Sequence, residues 1–358
     1  MKKLKELKSK LENDMKKSSK IFIIGHNSPD FDAIGACIGI YQLAKFYKKQ
    51  AYIIVEDDES KIEPGVKKII DSIKSKYTFI KKDDYLESVD QESLLVVCDV
   101  NKKNMISIGN DLEKLKRIII IDHHTEDNYT IDTKDKFISL KYSSACEIVA
   151  SILNMSKVPY DSKVANYLLA GISLDTKRFK QNTTSKTHDV AEKLLDHGAE
   201  IDYVNNLFLE EFESYCRISN LIINGTVIKK YSDSLLAPIQ VSFTLDRTNP
   251  TLIYLKEDYA KAADKMLKFY GIDASFALGY VENGIVHISA RSTKKVDVGK
   301  IMEELQGGGN SQSAGAIICT NDILSLENTL IETIPIGISK EEELIEKPKT
   351  IKIKKMKK

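Results

Sequence analysis

Residues 21–24, 51–55, 94–97 and 118–121 are unbroken apolar runs, separated by stretches with helical periodicity such as 66–75. Strands with no polar alternation must be covered on both faces, and strands that alternate with helices pair in parallel. The pattern therefore predicts an α/β domain built on a parallel sheet. Three of the runs end in chemistry-bearing residues. His26, Asp30 and Asp32 follow the first, within the stretch GHNSPDFDAIG. Asp99 follows the third, and Asp122, His123 and His124 follow the fourth. With a helix predicted over 34–48, the first group is expected in a loop. All three groups would emerge at the carboxyl edge of the sheet, where open α/β folds bind ligands.

The rest of the chain extends this organisation. Leu4, Leu7, Leu11 and Met15 recur at helical spacing among lysines, which predicts an amphipathic helix lying on its own domain. Helices are expected over 144–155, 162–174 and 186–197, the last closed by Gly198. A polar helix over 201–224 would connect to a second domain, with the boundary near 225. Beyond it, strands are expected over 235–244, 274–281 and 285–291, with Asn283-Gly284 as a hairpin turn. Helices over 258–270 and 298–305 and an apolar stretch at 314–319 complete a smaller mixed α/β domain. The expected division is 1–200, a connector at 201–225, 226–338, and a charged, mobile tail at 339–358.

A net charge of +1 gives no global field for a long nucleic acid. The five cysteines form no CxxC pair, so a cysteine zinc site or a disulfide framework is not expected, and reduced thiols fit a cytoplasmic protein. No apolar run approaches the roughly 20 residues of a membrane span.

His26, Asp30, Asp32, Asp99, His123 and Asp175 form a set of imidazoles and carboxylates without thiolates, which suits Mn2+ or Mg2+ better than structural zinc. A single aspartate at a strand end is an ordinary cap. The joint occurrence at consecutive strand ends is not explained that way. Six donors are too many for one ion with open positions, and suit two ions about 3.5–4 Å apart with one bridging carboxylate.

The stretches His26 to Ala36, Val97 to Asp99, Ile121 to His124 and Ala170 to Phe179 resemble, in order, the four motifs of the DHH phosphoesterase superfamily. Downstream, Ile288 to Ser292 and Gly307 to Gly315 resemble its DHH-associated C-terminal domain. The resemblance implies one Mn2+ held by His26, Asp30 and Asp99, and another by Asp32, Asp99, His123 and Asp175. It gives His124 a role at the substrate phosphate and makes Asp122 a support for the histidine pair. Arg291, Gly307, Gly308, Gly309 and Asn310 would bind substrate phosphate from the second domain, closing over an active-site cleft between the domains. The family usually has histidine where this chain has Asn310, which cannot become cationic. Phosphate binding is expected to survive that change, in weakened form.

Within the superfamily, PDFDAIGA and ISARS are most similar to the catalytic region of membrane-anchored cyclic-di-AMP phosphodiesterases, here expected as a stand-alone soluble form. The implied reaction gives pApA, with onward cleavage to AMP as an extension. A short-oligonucleotide exonuclease is the alternative, although its first motif more often has glycine at the place of Phe31. A non-catalytic nucleotide sensor is a second alternative. Homodimerisation is expected from the resemblance alone.

Overall fold

The computed structural model describes residues 2–55, 62–209, 211–229, 239–245, 254–293 and 295–338. The tail expected over 339–358, and residues 235–238 of an expected strand, lie outside the described residues. Two compact units divide the chain, Met1–Leu209 and Glu210–Lys358.

In the first unit, strands β1 (Ile21–Ile24), β2 (Ala51–Ile54), β3 (Phe79–Ile80), β4 (Leu94–Cys98), β5 (Arg117–Asp122) and β6 (Lys136–Ile138) form one sheet of order β3-β2-β1-β4-β5-β6. Every pairing is parallel. The apolar runs alternate between two cores. Ile21, Ile23, Leu94, Val96 and Ile119 join a core on one face. Phe22, Leu95, Val97 and Ile120 join a core on the other. Each fully buried side chain of this kind contributes roughly 2 kcal/mol of transfer free energy. That two-sided burial is why the strands lack polar alternation.

The helices are α1 (Lys2–Lys17), α2 (Phe31–Phe46), α3 (Pro64–Ile73), α4 (Lys82–Ser88), α5 (Ala145–Ser156), α6 (Ser162–Asp175), α7 (Ser185–Asp196) and α8 (Ile201–Leu207). The apolar positions of α1 are buried, as its spacing predicts. Helix α2 is buried nearly all round. A Cβ at Gly35 would stand 2.6 Å from the Tyr167 carbonyl oxygen of α6 and 2.7 Å from Cys146 Sγ of α5. One turn on, a Cβ at Gly39 would meet Val149 at 2.5 Å. Glycine costs a helix about 1 kcal/mol relative to alanine, and here it permits backbone contact between three helices.

Two sequence expectations need correction. Helix α2 begins at Phe31, not Ile34, because the Asp30 carboxylate accepts from the Asp32 and Ala33 amides and caps it. Asp32 thus stands in a first helical turn rather than a loop. The single connecting helix over 201–224 is two helices, α8 and α9 (Phe212–Ile223), assigned to different units. Val204 of α8 belongs to the core of the first unit, whereas Ile218 and Leu221 of α9 pack with Tyr259 and Ala262. The units therefore part at Leu209 and Glu210, earlier than 225.

The second unit adds β7 (Thr226–Lys229), β8 (Gln240–Leu245), α10 (Lys256–Met266), β9 (Ala274–Glu282), β10 (Ile285–Ser292), α11 (Val298–Glu304), β11 (Gly308–Gly309), β12 (Ser313–Cys319) and α12 (Ile323–Thr333). The mixed sheet has order β11-β12-β10-β9-β8-β7, with only β8 and β9 parallel. Asn283 and Gly284 turn the antiparallel pair β9–β10, with Gly284 at φ +73°.

Gly35→Ala is expected to destabilise the first unit by about 1–3 kcal/mol through overpacking against α5 and α6. Urea unfolding followed by circular dichroism measures this, and an unchanged midpoint would contradict the close-packing account.

Candidate metal centre

The order of the parallel sheet reverses between β1 and β4. Loops leaving the carboxyl ends of adjacent strands that run in opposite directions of connection open a crevice there. His26 lies just beyond β1, Asp99 directly after β4, and Asp122 ends β5, with His123 and His124 next. Asp175 ends α6. The fold brings all six predicted donors together in two groups, His26–Asp30–Asp99 and Asp32–Asp99–His123–Asp175, each with its ligand atoms within 4.8 Å of one another. Asp99 belongs to both groups. A third grouping joins Asp99, His123 and His124.

His26 Nδ1 lies 2.8 Å from the Asn27 carbonyl oxygen. A carbonyl only accepts, so Nδ1 carries the proton and Nε2 faces Asp30 Oδ1 at 3.7 Å and Asp99 Oδ2 at 3.6 Å. His123 Nε2 faces Asp175 Oδ2 at 2.9 Å, Asp99 Oδ1 at 3.3 Å and Asp32 Oδ2 at 3.7 Å. Despite this crowding, His123 Nε2 and Asp99 Oδ1 are buried and make no aligned hydrogen bond. Buried polar atoms without partners are rare in native folds and call for an explanation such as an ion. Asp99 itself holds φ at +61°, in the left-handed region that costs a non-glycine residue energy and that clusters at functional sites.

The charge balance points the same way. Burial, together with the charges of Asp99 and Asp175, pushes the Asp32 carboxyl well above its ordinary range. Burial also raises Asp175, reinforced by Asp99 and partly opposed by His123. Burial works against a charged imidazole at both His26 and His123, but the facing carboxylates outweigh it and lift each to about 11. Asp99 is held low against burial by those two histidines. Without a cation, protons on the imidazoles occupy the places where positive charge is needed. Hard oxygen donors, neutral-capable imidazoles and two unpartnered buried atoms fit a divalent pair.

Supporting contacts were only partly legible in the sequence. Asp32 Oδ2 accepts from the Ala145 amide at 2.6 Å and Oδ1 from the Cys146 amide at 2.8 Å, so the N-terminus of α5 anchors it. Ser144 is readable as the cap of α5, but nothing local says that this helix end meets a residue 113 positions away. Asp122 accepts from the His123 and His124 amides and pairs with His124 Nδ1 at 2.9 Å. Its other oxygen takes a 2.6 Å bond from Asn101, which sequence reasoning missed. The Asp122 bond, against burial, raises the His124 pKa above 6.5.

In the second unit, Arg291 Nε donates to Asp264 Oδ1 at 3.0 Å and Nη1 to the Ala290 carbonyl, a pairing not foreseen. The glycine run is neither a loose loop nor a fully open nest. Gly308 and Gly309 pair with β12, and a Cβ at Gly307 would stand 2.3 Å from the Gly315 carbonyl oxygen. The amides of Gly307 and Asn310 are spent on Met302 and Ser313 carbonyls. Asn310 Oδ1 accepts from the Gln312 and Ser313 amides, making Asn310 a turn residue whose side-chain donor remains.

The parallel sheet with acidic and imidazole groups at its switch point, and the smaller mixed unit behind it in sequence, coincide with two matched domains: the chain carries a DHH domain and a DHHA1 domain. Residues 20–172 match the DHH family, N-terminal domain, and residues 252–334 match the DHHA1 domain. The cyclic-di-AMP phosphodiesterase GdpP of Bacillus subtilis is 32% identical over 312 residues, covering 85% of this chain and 46% of that protein. The chain thus spans about half the length of the GdpP and PdeA relatives it matches. The bifunctional oligoribonuclease and PAP phosphatase NrnA of Mycoplasma genitalium is 26% identical over 322 residues, covering 87% of this chain and 93% of that protein. An exopolyphosphatase-related protein from Bacteroides fragilis shares the fold, with a TM-score of 0.70 at 18% identity over 93% of this chain and 97% of that one. No helix among the described residues is long and apolar enough to cross a membrane.

In chelator, the stabilising contribution of His26 and His123 is full below their ordinary pKa of 6.5 and declines as pH rises toward about 11, because the folded state holds those protons more tightly. Saturating divalent ion displaces the same protons, so its affinity is expected to grow with pH. Thermal unfolding at pH 7 and pH 9, with chelator and with Mn2+, reads both slopes. A melting temperature equally insensitive to pH in both conditions would remove the basis for the site.

Proposed function

We propose that this chain hydrolyses a phosphodiester of cyclic di-AMP to give pApA, using two Mn2+ ions held by His26, Asp30, Asp99 and by Asp32, Asp99, His123, Asp175. The observation that carries this reading is the sharing of Asp99 between two donor groups at the switch point of the sheet. The GdpP relative, named for cyclic di-AMP, supports the choice of substrate.

When bound, a divalent pair supplies Lewis-acid polarisation of the phosphoryl oxygens and a water of lowered pKa. The protein's own groups do the rest. The α5 amides hold Asp32 in place, one bonded to each carboxylate oxygen. Asp122 fixes His124 through Nδ1, so His124 Nε2 is the atom that donates a proton to the departing oxygen. The His124 side chain is 55% exposed, which leaves it accessible to substrate. Arg291, Gly307, Gly308, Gly309 and Asn310 are proposed as contacts to substrate phosphate, with the Asn310 side-chain amide as donor and the Arg291 fork partly committed to Asp264.

A second reading has its own support. NrnA is matched along 93% of its length, so a short-oligonucleotide exonuclease acting on pApA or RNA of a few nucleotides stands as the alternative.

Turnover of cyclic di-AMP, pApA and a short RNA at equal concentration, with Mn2+ and with Mg2+, is the deciding experiment. Preference for cyclic di-AMP with Mn2+ is expected, and Asp99→Ala should abolish it. Faster cleavage of pApA or RNA would transfer the assignment to the exonuclease, and no turnover with nucleotide binding retained would make the chain a sensor. Asp122→Asn is expected to move the alkaline limb of the kcat profile to lower pH, because the bond that keeps His124 protonated is weakened. An unmoved limb would remove His124 from the role of acid.

A further inference from the structure

A groove of about 600 Å3 opens beside His123, between the loop at 140–143 and the segment at 182–186. That volume lies in the range of small-molecule sites. Its walls are tied together from beneath. Glu147, fully buried on α5, accepts through Oε2 from the Ser143 amide at 2.9 Å, the Ser143 hydroxyl at 2.7 Å and the Thr187 hydroxyl at 3.0 Å. One carboxylate thereby holds the 140–143 loop and the first turn of α7 at a fixed separation.

The lining has two chemistries. Lys141 and Lys186 are exposed, and neither forms an ion pair among the described residues. Leu140 is 68% exposed and stands beside the half-buried Tyr142. The opposite wall follows a run of left-handed backbone. Lys177, Arg178 and Phe179 have φ of +47°, +60° and +60°, and Asn182, in the groove itself, has +55°. Four non-glycine residues held in that region within six positions require the surrounding fold to enforce them, a pattern associated with ligand sites.

Uncompensated ammonium groups beside an apolar ledge recognise an anion joined to a flat apolar group. We infer that this groove is a nucleotide subsite, in which Lys141 and Lys186 hold a phosphate adjoining the scissile one and Leu140 and Tyr142 carry the base. The inference rests on the phosphodiesterase reading for its place in the reaction, since one end of the groove is the donor His123. It adds to that reading a determinant of substrate size. A groove of this volume takes one nucleotide beyond the cleaved bond, which favours dinucleotides over long strands.

The test uses the full chain, with the double variant Lys141→Ala/Lys186→Ala and the charge-retaining Lys141→Arg/Lys186→Arg. The probes are pApA, bis(p-nitrophenyl) phosphate, and 5′-AMP. Both lysines are exposed, so the variants are expected to keep the wild-type melting temperature, which circular dichroism checks. For the alanine variant, KM for pApA is expected to rise roughly tenfold with kcat unchanged, as two solvent-screened ion pairs are lost. Hydrolysis of bis(p-nitrophenyl) phosphate, which has no second phosphate, should be unaffected, and the arginine variant should restore KM. Calorimetric binding of 5′-AMP in chelator should weaken in the alanine variant and recover in the arginine variant. Unchanged pApA kinetics and unchanged 5′-AMP affinity would overturn the subsite. Failure of the wild type to hydrolyse any phosphodiester would overturn the catalytic reading instead, while the 5′-AMP titration would still decide the groove.

Discussion

The first unit depends on one electrostatic problem, namely how to keep four carboxylates together at the end of a buried sheet. Asp32, Asp99 and Asp175 are mostly or fully removed from water, and Asp30 caps the helix between them. Like charges at this spacing cannot all stay ionised without compensation. Two imidazoles and one helix N-terminus offset it, and each comes from a different part of the chain. The parallel sheet is the device that brings them within reach, because its carboxyl ends all face one way.

Much of this is legible in the sequence. His26, Asp99 and His123 each follow an apolar run, and a run buried on both faces leaves its next residue at the sheet edge whatever else the fold does. Asp175 has no such strand before it and ends a helix, so its place in the donor set rests on residue type and on the resemblance to the DHH motifs rather than on a strand end. The paired glycines Gly35 and Gly39 carried no readable message, since their need comes from Tyr167, Cys146 and Val149 on other helices.

The misreadings have physical causes. Periodicity starts α2 three residues late, because an aspartate-rich turn has the composition of a loop and the cap formed by one carboxylate on the next amides leaves no periodic signal. The connector has the polarity and length of one helix, and neither property carries information about which core each half joins. Strands β3 and β11 have two residues each, too few to show a period. The glycine run pointed to anion binding, but the proximity of Gly315 and Ala314 shows that part of its glycine content serves an edge strand packed tightly on its neighbour.

The left-handed backbone at Asp99 has a consequence for the history of such chains. Asparagine or glycine would sit there with less strain, and either would also relieve the crowding of negative charge. Stability alone therefore pulls this position away from aspartate, and only continued use of the centre opposes the pull. A descendant that kept the sheet but abandoned the chemistry would be free to drift at position 99, so that one codon would record whether the centre was still at work.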